Sequence, residues 1–208
     1  MHHRHGHQGH QGHHSHHMPH RFTDAASWSK QFDAPERDAW QKPDELVAAL
    51  HIPADAVIAD VGAGTGYFAT RLARAAPQGR VLGVDVEGDM VTFIDQRAAK
   101  EGLANLQGRL TPLDRANLGS GTDLVLVVNT YHHISDRVSY FKAMAPLLSA
   151  RGRVAIVDFR LNSERGPPRE LKVSDTVVES ELRDAGYVVV DRHAFLPDQY
   201  FVVFAVQH

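Results

Sequence analysis

The stretch Val57-Ile58-Ala59-Asp60-Val61-Gly62-Ala63-Gly64-Thr65-Gly66-Tyr67-Phe68 joins an apolar run to a turn with glycine at three alternate positions, and then to a helix. A strand, a glycine turn and a helix N-terminus in that order form a cradle for a nucleotide cofactor. Alternate glycines let the backbone pass close under a ligand where a Cβ would clash, and they admit the positive φ values a tight turn needs. A dinucleotide fingerprint, G-x-G-x-x-G, would need its third glycine where Tyr67 stands. A packing turn with no ligand is the bland alternative, and three alternating glycines after a buried strand weigh against it.

Outward from this turn, apolar runs alternate with segments of helical period. Strands are predicted at Val57 to Val61, Val81 to Asp85, Leu106 to Leu110, Asp123 to Asn129 and Arg153 to Phe159. Helical spacing links Phe68 with Leu72, then Met90, Phe93 and Ile94, then Val138, Phe141, Ala145 and Leu148. A further helix follows Ser174, with Val178, Leu182 and Ala185 on one face and Gly186 at its end. The chain finishes with Tyr187 to Val190 and Tyr200 to Phe204, read as a hairpin. These elements predict an α/β fold, a doubly wound and mostly parallel seven-stranded sheet ending in an antiparallel hairpin. Upstream, Trp28 and Phe32 stand four apart, and a helix opened by Asp44 as N-cap follows two prolines. The expected organisation is a His-rich tail over 1–21, a small helical cap over 22–52 and one α/β domain over 53–208.

Composition narrows the chemistry. The 208-residue chain has a formal net charge of −3 and no cysteine. The charge gives no basic footprint for nucleic acid, and the missing thiols exclude disulfides, thiolate metal sites and cysteine nucleophiles. No run reaches the length of a membrane span, and the N-terminus lacks the apolar core of a signal peptide, so a cytoplasmic protein without membrane attachment is expected. Ten of the 15 histidines lie in the tail, at His2, His3, His5, His7, His10, His13, His14, His16, His17 and His20. On a flexible chain they could form only a labile, unselective chelating site, and no metal is expected in the core.

The pattern Asp60-x-Gly62-x-Gly64-x-Gly66 resembles the first motif of the class I methyltransferases that use S-adenosylmethionine (SAM). The resemblance runs from Asp33 to the end of the chain, and FDAPERDAWQKP is similar to the entry segment of a group of small bacterial members. It implies that Asp60, Gly62, Ala63, Gly64 and Gly66 form the turn beneath the cofactor. Asp85 and Val86 follow the second strand, and a carboxylate at Asp85 is able to accept both ribose hydroxyls, with Glu87 as its rival. Asp114 and Arg115 lie in a segment similar to the one that reaches adenine in the family, although Gly119 replaces the usual proline; a solvated turn is the competing reading.

Asn129, Tyr131, His132 and His133 follow the fourth strand at the ligand-binding edge, Asn129 as an expected cofactor contact and the other three as candidates for acceptor positioning or a base. The imidazoles suit a base because they titrate near neutrality, and the competing reading is that one histidine is a structural ring bonded to backbone. Arg37, Trp40 and Gln41 are expected in a lid, and Arg160 leads into a loop whose Arg165, Arg169 and Lys172, partly offset by Glu164 and Glu170, could favour an anionic acceptor; a solvated connection is the competing reading. The implied activity is methyl transfer from SAM to a small-molecule acceptor. Competing readings are a metal-responsive protein acting through the tail, a SAM-binding module without turnover, and a nicotinamide oxidoreductase. Neither the acceptor nor the oligomeric state follows from the sequence.

Overall fold

The computed structural model describes residues 24–207, so the His-rich tail, its chelation and all of its boundaries lie outside the described residues. Three short helices come first: α1 Ala25–Phe32, α2 Glu36–Gln41 and α3 Pro43–Ala49. The N-cap of α3 is Lys42 rather than the expected Asp44. Pro43 takes the first helical position, where its missing N–H costs nothing, and Asp44 falls in the first turn facing the positive end of the helix dipole.

The sheet then builds as β1 Val57–Val61, α4 Ala69–Ala75, β2 Arg80–Asp85, α5 Gly88–Glu101, β3 Leu106–Leu110 and β4 Thr122–Val128. It continues with α6 Arg137–Met144, β5 Leu148–Phe159, α7 Asp175–Asp184, β6 Tyr187–His193 and β7 Gln199–Val206. Strand order is β3-β2-β1-β4-β5-β7-β6 in one seven-stranded sheet. The first five strands are parallel, whereas β7 runs antiparallel to both β5 and β6, which is the hairpin ending expected from sequence.

Strand residues alternate between two apolar layers. Ile58, Ala155, Val157, Phe201 and Val203 face the cluster that includes Leu46, Leu72 and Ile94 from α3, α4 and α5. Ala59, Val61, Val154, Ile156, Val202 and Phe204 face the cluster with Phe141, Met144, Val178 and Leu182 from α6 and α7. The sheet is therefore buried on both faces, which explains why β4 reads as an unbroken apolar run from Leu124 to Val128.

Ala145 and Leu148 lie outside the helix predicted for them. Pro146 cannot continue the α-helical hydrogen-bond ladder, so α6 ends at Met144 and β5 starts at Leu148, earlier than the predicted Arg153. Ser174 caps α7 by accepting from the Val177 N–H. Among the described residues no helix is long and apolar enough to cross a membrane.

Candidate active site

The glycine turn leaves β1 with positive φ at Gly62, Gly64 and Gly66. Gly62 and Ala63 N–H groups both donate to the Val84 carbonyl, which folds the turn over the end of β2. A Cβ at Gly62 would stand 2.2 Å from Thr130 Oγ1, so this position needs glycine for space as well as for conformation. At Gly64 only the Phe32 ring comes near, at 3.5 Å, and the backbone there is open to the cavity.

Asp85 ends β2 at 8% exposure. Its Oδ2 accepts from the Gly64 N–H at 2.8 Å and its Oδ1 from the Glu87 N–H at 3.0 Å. Burial raises its pKa, while the backbone donors of Glu87 and Gly64 act against that rise. Each carboxylate oxygen retains a second lone pair, so the side chain is fixed but not saturated.

Asp60 sits deeper, and its Oδ2 has no hydrogen-bond partner. Burial pushes its carboxyl up to about 7; the Arg37 guanidinium opposes this and the Asp85 charge adds to it. An orphaned buried carboxylate oxygen is costly to the fold unless a partner reaches it.

The cavity holds about 490 Å³ and lies outside the carboxyl ends of β1, β2 and β4. Gly62, Ala63, Gly64, Asp85, Val86, Asn129 and His133 line it, as do Phe32, Arg37, Glu87, Met90 and Leu113. The structure does not bring every predicted residue to its wall. Asp60 and Gly66 lie behind it. Asp114 and Arg115 have side chains 74% and 67% exposed and pair with each other at 3.5 Å, away from the lining. The Thr111 hydroxyl explains this, because it donates to the Arg115 carbonyl and accepts from the Asn117 N–H, turning the loop so that Thr111, Pro112 and Leu113 face inward.

The three residues after Thr130 part company. Tyr131 is fully buried, stacks on Phe141 and donates its hydroxyl to Glu181, which Arg137 also holds. It is a packing residue between α6 and α7, away from the cavity. His132 is also off the wall, with its Nδ1 at 2.9 and 3.0 Å from the two Asp158 oxygens. The Asp158 carboxylate, an acceptor only, fixes the imidazole as an Nδ1–H tautomer. His133 alone of the three lines the cavity, its ring 4.2 Å from that of His132.

The N-terminal helices form one side of the site. Arg37 stacks 3.9 Å over the Tyr67 ring, donates from Nε to Gln41 Oε1 and from Nη1 to the Phe32 carbonyl. Burial lowers its pKa to about 10, which leaves it cationic at neutral pH. The Tyr67 hydroxyl donates to Asp38, so the residue that argues against a dinucleotide fingerprint is also the platform on which α2 docks.

Trp40 packs on Phe159 at 5.7 Å and beneath Arg165 at 5.3 Å. The cationic loop is largely engaged elsewhere: Arg165 pairs with Asp198, Arg169 donates to the Leu161 carbonyl and Lys172 to that of Ser163. None of the three lines the cavity. Among the described residues no group of three or more His, Cys, Asp or Glu is arranged to hold a metal ion.

Residues 59–154, which run from β1 into β5 and carry the glycine turn, match the methyltransferase domain family. A SAM-dependent methyltransferase of Aquifex aeolicus superposes with a TM-score of 0.80 at 22% identity, covering 88% of this chain and 99% of that one. The fold of this chain is that of the SAM-dependent methyltransferases, and its central residues 59–154 resemble the methyltransferase domain family. Magnesium protoporphyrin IX methyltransferase of Synechocystis, solved with bound S-adenosylhomocysteine (SAH), shares the fold at a TM-score of 0.63 and 19% identity over 81% of this chain and 84% of that one. A trans-aconitate 2-methyltransferase of Afipia carboxidovorans is 28% identical over 139 residues, 63% of this chain and 50% of the relative. An uncharacterised methyltransferase of Mycobacterium bovis is 28% identical over 116 residues, 56% of this chain and 57% of the relative. The chain thus spans about half the length of the curated relatives it matches.

The cavity-lining Asn129 and the off-wall His132 each bond a residue that local sequence marks differently. Gln199 stands at the start of a strand 70 residues beyond Asn129, and nothing in periodicity or spacing singles it out. Asp158 was reachable: β4 and β5 are parallel neighbours with Val128 opposite Val157, so the next residues of each strand emerge side by side.

Proposed function

We propose that this protein transfers a methyl group from SAM to a small-molecule acceptor. The observation that carries the proposal is the fixed Asp85 carboxylate facing a cavity floored by the glycine turn. Bound SAM supplies a methyl group already activated on a sulfonium centre. Asp85 accepts the ribose hydroxyls through its remaining lone pairs, with Glu87 beside it. Val86, Met90 and Leu113 give the apolar slot for the adenine, a role in which Leu113 replaces the exposed Asp114 and Arg115. Asp60 attracts the ammonium of the methionine end across the turn formed by Gly62, Ala63, Gly64 and Gly66, and the cationic Arg37 attracts its carboxylate.

Asn129 and His133 stand where the acceptor approaches. In this reading His132 is a positioning residue: Asp158 anchors it, and it holds the His133 ring by contact. Catalysis then rests chiefly on alignment, which in favourable cases supplies about 7 to 11 kcal/mol. A small acceptor accords with the named substrate of the Afipia relative, trans-aconitate.

The test combines binding with turnover. SAM or SAH should raise the unfolding temperature in a concentration-dependent way, and labelled SAM should pass label to a component of a small-molecule extract. Asp85→Ala should abolish both effects. Wild-type protein that neither shifts with SAH nor transfers label would overturn the proposal.

A further inference from the structure

The cavity wall at the end of β4 is set by a line of amides that starts outside the sheet. Arg37 Nε–H donates to Gln41 Oε1 at 2.6 Å. Gln41 Nε2–H donates to Gln199 Oε1 at 2.8 Å, and Gln199 Nε2–H donates to Asn129 Oδ1. Gln41 and Gln199 are both 0% exposed. Carboxamide oxygen and nitrogen are ordinarily assigned from their partners, and here the assignment propagates from one end. A guanidinium can only donate, so Gln41 must turn its oxygen to Arg37 and its NH₂ to Gln199. The same logic forces the oxygen of Gln199 toward Gln41, and then the oxygen of Asn129 toward Gln199. What Asn129 has left is its NH₂, which donates to no group among the described residues. Its backbone is also special: φ of 55° carries the chain off β4 and onto the cavity wall.

We infer that the methyl acceptor is a small carboxylic acid, whose carboxylate is received by the Asn129 NH₂ that the Arg37–Gln41–Gln199 relay turns to the cavity. This rests on the methyl-transfer reading and adds the acceptor class to it. A carboxylate only accepts hydrogen bonds and is ionised at neutral pH, so it suits a fixed donor and needs no base. An amine or amide nitrogen would instead require an acceptor for its own N–H, and the Asn129 oxygen has one of its two lone pairs taken by Gln199, whereas both protons of its NH₂ are unspent. In the step, a carboxylate lone pair forms the new O–C bond while the C–S bond breaks and its electron pair passes to sulfur. The products are a methyl ester and SAH, and no proton is released.

The product bond gives the test. Wild-type protein is incubated with methyl-labelled SAM and a protein-free small-molecule extract, and in parallel with a panel of di- and tricarboxylic acids, phenols and primary amines. Products are then treated with alkali, which releases a methyl ester as volatile labelled methanol and leaves methyl ethers and methylamines intact. Volatile label is the expected result, and label retained after alkali overturns the inference while leaving methyl transfer standing. Absence of any label would instead remove the reading on which it rests. Two variants locate the contact. Asn129→Asp keeps the bond from Gln199 but offers an anion to the acceptor, and should raise the acid's KM by on the order of 100-fold. Asn129→Gly tolerates the left-handed backbone and should cost about tenfold. SAH affinity should stay within about threefold in both, as judged by titration. If SAH affinity falls instead of acceptor affinity, or if Asp at this position is better than Gly, Asn129 does not receive a carboxylate.

Discussion

Gly62 and Gly64 share a left-handed backbone but differ in what surrounds them, and that difference separates stability from binding. An alanine at either position carries the positive-φ penalty, on the order of 1 kcal/mol. At Gly62 the methyl also meets Thr130 Oγ1 at 2.2 Å and must displace a residue that itself bonds the Val128 carbonyl. Gly62→Ala should therefore lower stability by about 2 to 4 kcal/mol in denaturant titrations, and SAH affinity with it. Gly64→Ala should lose only about 1 kcal/mol, because its Cβ points to open space beside Phe32, yet weaken SAH at least tenfold by filling the cofactor floor. Equal stability losses in the two variants would contradict this division. At this scale the sequence exposes residues whose roles follow from chain geometry. The places of Gly62, Asp85 and Asn129 on the cavity wall are readable because turns and strand ends have fixed positions in such a fold. Asp114 is not, since its direction depends on the Thr111 hydroxyl folding a short loop back. Gln199 is hidden for a different reason: its partners Gln41 and Asn129 lie on two other elements, and hydrogen bonds across such distances leave no periodic trace.

At the scale of elements, α2 is too short to be stable alone and is held by what it docks on. Its contacts converge on Tyr67: the ring supports Arg37 at 3.9 Å and the hydroxyl bonds Asp38, while Arg71 approaches the same ring at 4.2 Å from α4. A second tether joins α1 to α5 through the Asp33–Arg97 pair at 2.9 Å. Tyr67→Ala should consequently loosen α2 more than the sheet. Limited proteolysis should cut faster between α1 and α3, and SAH should bind more weakly as Arg37 loses its support. Tyr67→Phe keeps the platform and loses one hydrogen bond, so its effect should be about 1 kcal/mol. Cleavage rates unchanged in Tyr67→Ala would mean that α2 is anchored elsewhere. Sequence periodicity finds these elements but not their junctions. It places Ala145 and Leu148 on a helix because their spacing fits, although Pro146 stops that helix and lets β5 begin early.

Across the whole molecule, the two-sided burial of the sheet made the fold legible, while the same burial creates an electrostatic feature no pattern shows. Asp60 was marked by its place before the glycines, but its protonation depends on depth. Desolvation pushes it up to about 7 against the partial relief from Arg37, and Asp85 is raised in the same direction. The unfolded chain ionises Asp60 near pH 4, so between about pH 4 and 7 the folded state holds the extra proton. Its contribution to stability is present at low pH, is lost as pH rises through about 7, and is constant above that. Asp123 acts in the opposite sense: its bond to Arg151 takes its pKa down to about 2, so its contribution is lost only on strong acidification. Binding should reverse the penalty at Asp60, since the ligand's ammonium finds an ionised partner once the proton leaves. SAH affinity should accordingly rise with pH, by at most about tenfold per unit below pH 7, and level off above it. Asp60→Asn should flatten this profile, bind SAH weakly throughout, and raise the unfolding temperature of the ligand-free protein near pH 8, with about a third of that rise near pH 5. Calorimetric titration across that range decides the matter. An affinity that is flat or falls with pH in the wild-type protein would remove Asp60 from the ammonium site, because an unpartnered buried carboxylate that gains a cation must bind it more tightly when ionised.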